Sequence, residues 1–140
     1  MALHHFTQRQ IANALGVSEM TISRCVHLLG CDNRPLAKFD AWQVFMYAEL
    51  QELGFQQHVI KELIAEFRHE CLFVFGNPDA RAWIVSVARD GNEFRTTVKS
   101  AVHLAAICDL FPTSMIVPLH TLADRARQHL TALKTRKAAT

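Results

Sequence analysis

The sequence predicts an α+β protein: an N-terminal all-α helix-turn-helix domain over residues 1–69, with a loop long enough for a small wing, followed by a small mixed α/β domain over residues 70–140. Three observations lead there. The stretch from Phe6 to Gly30, FTQRQIANALGVSEMTISRCVHLLG, reads as two short helices around a tight turn. Apolar residues then recur at helical spacing through Phe67. Behind them the pattern changes to β-branched and aromatic runs punctuated by an Asp-Gly turn.

Each position of the first stretch has a separate physical job. Gly16 leaves the first helix, where a left-handed backbone conformation is often needed and a Cβ is penalised. Ala12, four residues earlier, has to be small so that the second helix can cross close by. Ile11, Leu15, Val17, Ile22 and Cys25 are the apolar positions expected to lock the two helices together. Ser18 is a good N-cap for the second helix.

Composition sets the outer limits. In 140 residues, half are hydrophobic and a fifth charged, as in a globular chain of one domain or two small ones. No run of about eighteen uncharged apolar residues suits a membrane span, so no membrane partner is expected. The N-terminus MALHHFTQRQ lacks the pattern of a signal peptide, which makes the cytoplasm the expected compartment. Cys25, Cys31, Cys71 and Cys108 form no CxxC pair, so disulfides are not expected. The net charge of +2 is unevenly spread. Residues 1–39 carry Arg9, Arg24, Arg34 and Lys38 against Glu19 and Asp32, whereas residues 40–70 carry six acidic side chains against Lys61 and Arg68. An acidic segment has to face away from phosphates, so any nucleic acid meets the N-terminal stretch.

After the two helices, Asn33-Arg34-Pro35 marks a loop. Asp40 is expected to open the next helix, with Gln43 completing a pattern like a capping box. Met46, Leu50 and Leu53 give that helix one apolar face, and Gly54 ends it. Val59, Ile60, Leu63, Ile64 and Phe67 make the stripe of a further helix, with Lys61, Glu62 and Glu66 outside. At this point the chain resembles the MerR-type winged-helix DNA-binding domain. The matching residues are Phe39-Asp40 at a helix start, Leu50, Leu53-Gly54-Phe55 and Ile60-Lys61-Glu62-Leu63. The likeness covers roughly residues 6–67. It lacks the family's longer arginine-rich wing and its long antiparallel dimerisation helix. What the resemblance implies is a winged-helix fold and a DNA-binding regulator.

The second half reads differently. Cys71–Phe75 is a short apolar run closed by Gly76-Asn77-Pro78. Ala82–Ala88 predicts a strand, Phe94–Val98 its hairpin partner across Asp90-Gly91. SAVHLAAICDL is apolar nearly all round and predicts a buried segment, helical by its length and alanines, with Cys108 inside. Ser114–Val117 predicts another strand. Leu119, Leu122, Ala123, Ala126, Leu130 and Leu133 repeat at helical spacing in a last helix, and TRKAAT is expected to be a tail.

With its apolar face docked, the second helix of the motif offers Glu19, Met20, Thr21, Ser23, Arg24 and His27 to the bases of a major groove. Arg24 suits guanine O6 and N7, Glu19 cytosine N4, and Met20 or Thr21 a thymine methyl. Thr7, Gln8, Arg9, Ser18, Arg34 and Lys38 are the expected backbone contacts, those of residues 7–9 being implied by the family resemblance as well. Leu122, Ala126, Leu130 and Leu133 are the expected dimerisation residues. A metal site is not expected, since the histidines and cysteines lack short ligand spacing and only His69 and Cys71 lie close together. Nor is a cofactor or an enzyme: no nucleophile–base spacing, phosphate loop or paired carboxylates stand out. A small-molecule effector has apolar residues to meet but no convergent polar set, so the second half is read as a dimerisation module.

The expected function is a sequence-specific DNA-binding transcription regulator. It is read as a homodimeric repressor on an inverted repeat of double-stranded DNA. The alternatives are an excisionase-like architectural factor, a MerR-like activator that distorts promoter DNA, and a protein-interaction module.

Overall fold

The computed structural model describes residues 5–31, 35–111 and 113–139, with side chains up to residue 134. Within them the chain is mixed α and β, and it divides into two compact units. The first unit holds residues up to Arg68 and, in addition, those from Asp124 onward; the second holds His69–Ala123. A division at residues 69 and 70 therefore misses the return of the C-terminal helix to the first unit. No helix among the described residues is long and apolar enough to cross a membrane.

The first unit opens with β1 (His5–Phe6), α1 (Gln8–Leu15) and α2 (Glu19–Leu28). β2 (Leu36–Ala37) pairs antiparallel with β1. Phe6 lies opposite Leu36, and both are buried, so the strand after α2 is zipped to the strand before α1. The described part of the expected wing region contributes this single strand; Asn33 and Arg34 lie outside the described residues.

α3 (Lys38–Glu52) starts two residues before the expected Asp40, with Ala37 as its N-cap and no side-chain cap bond. Gln43 is no cap: it is buried, and its Oε1 accepts from Cys31 Sγ at 3.7 Å. Every residue from Ala41 to Tyr47 is buried, so α3 is a central helix rather than one with a single apolar face. Leu53 falls just past the last turn as the C-cap and is exposed, not core. α4 (Gln57–Glu66) buries Ile60, Leu63 and Ile64 and leaves Lys61, Glu62 and Glu66 outside.

The apolar run Cys71–Phe75 lies within a helix, α5 (Arg68–Gly76). In the second unit, β3 (Trp83–Arg89) is central in an antiparallel sheet, with β4 (Asn92–Val98) on one side and β5 (Ser114–Pro118) on the other. Asp90 and Gly91 both have positive φ, 53° and 80°, the backbone of the tightest hairpin turn. α6 (Ala101–Leu110), capped by Ser100, packs Leu104 and Ile107 on Val85, Val87 and Val98. It contains no buried residue, contrary to the expectation for so apolar a segment, and Cys108 is only half-buried. α7 (Leu119–Ala139) takes in residues 135–139 of the segment expected as a tail, and residue 140 lies outside the described residues.

α7 also corrects the expected dimer surface. Leu122, Ala126, Leu130 and Leu133 are all buried within the single chain. A stripe already covered by its own chain has no area left to offer a second copy.

Candidate nucleic-acid interface

The α1–turn–α2 segment is fixed by local hydrogen bonds. Thr7 and Gln10 form a reciprocal capping box: Thr7 N–H donates to Gln10 Oε1 at 2.8 Å, and Gln10 N–H to Thr7 Oγ1 at 3.1 Å. Gly16 sits in the left-handed region at φ 68°, and Val17 N–H reaches back to the Ala12 carbonyl at 3.0 Å. That closure stops α1 and turns the chain. Ser18 then caps α2, its Oγ accepting from Thr21 N–H at 3.2 Å.

Ile11, Ala12, Ile22 and Cys25 are buried between the helices as their spacing requires. Two expectations for this lock need correction. Val17 is 40% exposed, because it lies in the turn itself, and Leu15 is half-buried. Val26, not foreseen as a locking residue, is fully buried. It continues the stripe of Ile22 and Cys25 along the same face of α2.

The opposite face of α2 carries the six candidate base readers. Glu19, Met20, Thr21, Arg24 and His27 are exposed, Met20 to 64%, and Ser23 is half-buried. Met20 and Arg24, one turn apart, are joined by a contact from Arg24 Nη2 to Met20 Sδ at 3.5 Å. It lays the guanidinium along the helix surface. The Thr21 hydroxyl is paired with Ser18 Oγ at 2.9 Å, so both hydroxyls are engaged at the helix start.

Among the expected backbone contacts, Thr7 and Arg9 are exposed and Gln8 is half-buried at the start of α1. Ser18 has its oxygen committed to the cap. Arg34 lies outside the described residues. Lys38, the first residue of α3, is half-buried and interacts with Lys134 of α7. Burial pushes the Lys134 ammonium below its ordinary value, and the adjacent Lys38 adds to this. Nothing local in the sequence ties Lys134 to Lys38, which stands ninety-six positions earlier.

Cys25, Cys31 and Cys71 are buried in the core, and Cys108 is half-buried. Burial, with the neighbouring Cys31 adding to it, pushes the Cys25 thiol up to about 12. None of the four is joined in a disulfide. Among the described residues no three His, Cys, Asp or Glu side chains come together as a metal-ligand group. A cleft of about 310 Å³ lies in the first unit between the turn and α3, lined by Leu15, Val17, Thr21, Ile22 and Tyr47 among others.

Compared with known proteins, the chain matches no family model and no curated protein.

Proposed function

We propose that the protein is a cytoplasmic, sequence-specific DNA-binding transcription regulator that acts as a homodimer on an inverted repeat. α2 enters the major groove, and occupancy of a promoter represses it. The observation that carries this reading is the division of α2 into two faces. Ile22, Cys25 and Val26 are buried, while Glu19, Met20, Thr21, Arg24 and His27 stand in solvent. Such a helix, presented after a glycine turn by a shorter first helix, has the form of a base reader. Arg24 is the strongest candidate for sequence discrimination, by a bidentate pair with guanine.

Exposed Arg9 at the start of α1 and the ammonium groups of Lys38 and Lys134 supply positive charge of the kind that phosphate contacts use. The resemblance of residues 6–67 to MerR-type domains points the same way. Promoter distortion through a dimerisation helix is the less favoured mechanism, because the apolar stripe of α7 is buried in its own chain. Selection of binding sites from random DNA at a stated salt concentration tests the proposal. A recovered inverted repeat supports it; retention of DNA without any enriched sequence favours an architectural factor. No retention at all leaves the exposed face of α2 to a protein partner and sinks the DNA reading.

A further inference from the structure

We infer that α6 is a self-association surface, covered in solution by the α6 of a second copy lying antiparallel about Ala106. The inference supplies an interface for the proposed homodimer, but it rests on residues that take no part in DNA reading.

A helix apolar on all sides is normally buried on all sides. α6, AVHLAAICDL, breaks that rule. Its inner face, Leu104 and Ile107, packs on the sheet core of Val85, Val87 and Val98. Its outer face remains in solvent, with Val102 77% and Leu110 75% exposed and Ala105 and Ala106 exposed between them. His103 and Asp109 are the only polar side chains of the helix, and both stand on this outer side.

The order of these residues is self-complementary. An antiparallel copy centred on Ala106 brings Val102 level with Leu110 of the other copy, and His103 level with Asp109. Each apolar end then meets an apolar end, and each polar group meets one of opposite character. The small Ala105 and Ala106 sit where the helices cross, which permits an approach of about 8 Å between axes. A two-fold contact needs this reciprocity, since one patch has to serve both partners.

The surface continues beyond the helix. Phe94 and Ile116 lie opposite Val87 and Val85 in the sheet register, so they share the sheet face on which α6 packs. They are 57% and 39% exposed, on the two edge strands flanking α6. A ten-residue helix about 15 Å long falls short of the roughly 800 Å² per partner of a standard interface. Phe94 and Ile116 widen the patch on both sides. An open groove of about 480 Å³, walled by Thr96, Val98, His103 and Ala106, gives partner side chains room to enter.

Sedimentation of the full chain without DNA, across a range of concentrations, is the test. The expected species has twice the 15.8 kDa chain mass. Val102→Lys should return it to the monomer, with an unchanged circular dichroism spectrum showing that the fold is kept. His103→Glu should weaken association at least tenfold by facing Asp109 with a like charge, and His103→Glu with Asp109→Lys should restore it. A wild-type monomer at every concentration overturns the inference. So does a dimer that Val102→Lys leaves intact, or a double variant no better than the single one. Arg24→Ala should leave the mass unchanged, so a failure of the DNA reading shows separately.

Discussion

The carboxylate of Glu49, on the central helix α3, lies 3.4 Å from Nε2 of His129 on α7, eighty residues later in the chain. Arg125 Nη1 reaches the other carboxylate oxygen at 3.6 Å, and the His129 ring stacks on Phe45 at 4.8 Å between centroids. One buried anion thus holds the C-terminal helix to the N-terminal unit. Removing it leaves the partners without their acceptor. Glu49→Ala should cost about 1–3 kcal/mol in urea denaturation, below the range for a fully buried pair because Arg125 is more than half exposed. An unchanged midpoint would mean that apolar packing alone holds α7 in place.

Specificity and affinity should separate by residue. Arg24→Ala should lose about 1–3 kcal/mol on the selected site and relax preference at one base pair per half-site. Lys38→Ala or Lys134→Ala should weaken binding on all sequences alike and flatten the salt dependence by about one unit of slope each. Equal loss on random DNA with Arg24→Ala would make that residue a phosphate contact. Titrations at several salt concentrations distinguish the two patterns.

The turn of the motif makes a smaller and more local prediction. A Cβ at Gly16 meets no atom within 4 Å, so Gly16→Ala adds backbone strain without a clash. The left-handed φ of 68° sets the cost at about 1 kcal/mol. A thermal melt should show the loss; a gain in stability would mean that the residue leaves the left-handed region without penalty.

Thiol chemistry should follow burial. The Cys25 thiol, pushed up to about 12, is protonated throughout the neutral range and should resist iodoacetamide in the native protein, while half-buried Cys108 labels first. The folded value lies above the ordinary 9.0, so the neutral thiol stabilises the fold fully below pH 9.0. That contribution is lost as pH rises from there toward 12, because the unfolded thiol ionises first. Mass spectrometry after timed alkylation checks the order of labelling.

In the second unit, the Ser86 hydroxyl donates to Glu93 Oε1 at 2.6 Å and, with Arg95 beside it, holds the Glu93 carboxyl below its ordinary range. Because the folded value is depressed, the ionised carboxyl stabilises the fold above the unfolded value, and that contribution is lost as pH falls through the folded value. Ser86→Ala should move the Glu93 titration upward in an NMR series. No movement would assign the shift to Arg95 alone.

The residues that were legible in the sequence act on their immediate neighbours. Gly16, Ser18, Ile22 and Cys25 make a helical hairpin through capping, a backbone turn and spacing of three or four residues, and Asp90-Gly91 makes a hairpin for the same local reason. The faces of α2 follow from that spacing, so the candidate readers were legible too. What was not legible depends on residues far apart in sequence. Gln43 reads as a cap and lies in the core, where its side chain meets Cys31, twelve positions earlier. Leu130 and Leu133 read as a dimer surface, but their covering comes from the same chain. Lys38 gains Lys134 across ninety-six positions.

α6 shows the limit most plainly: its sequence demands burial on every side, and the fold covers one side only. By itself, then, the sequence determined where helices, turns and strands form and which face of α2 is polar, since hydrogen bonds and side-chain periods act within a few residues. The tertiary structure decided which apolar faces this chain covers for itself and which it leaves exposed, since burial is a property of what lies opposite.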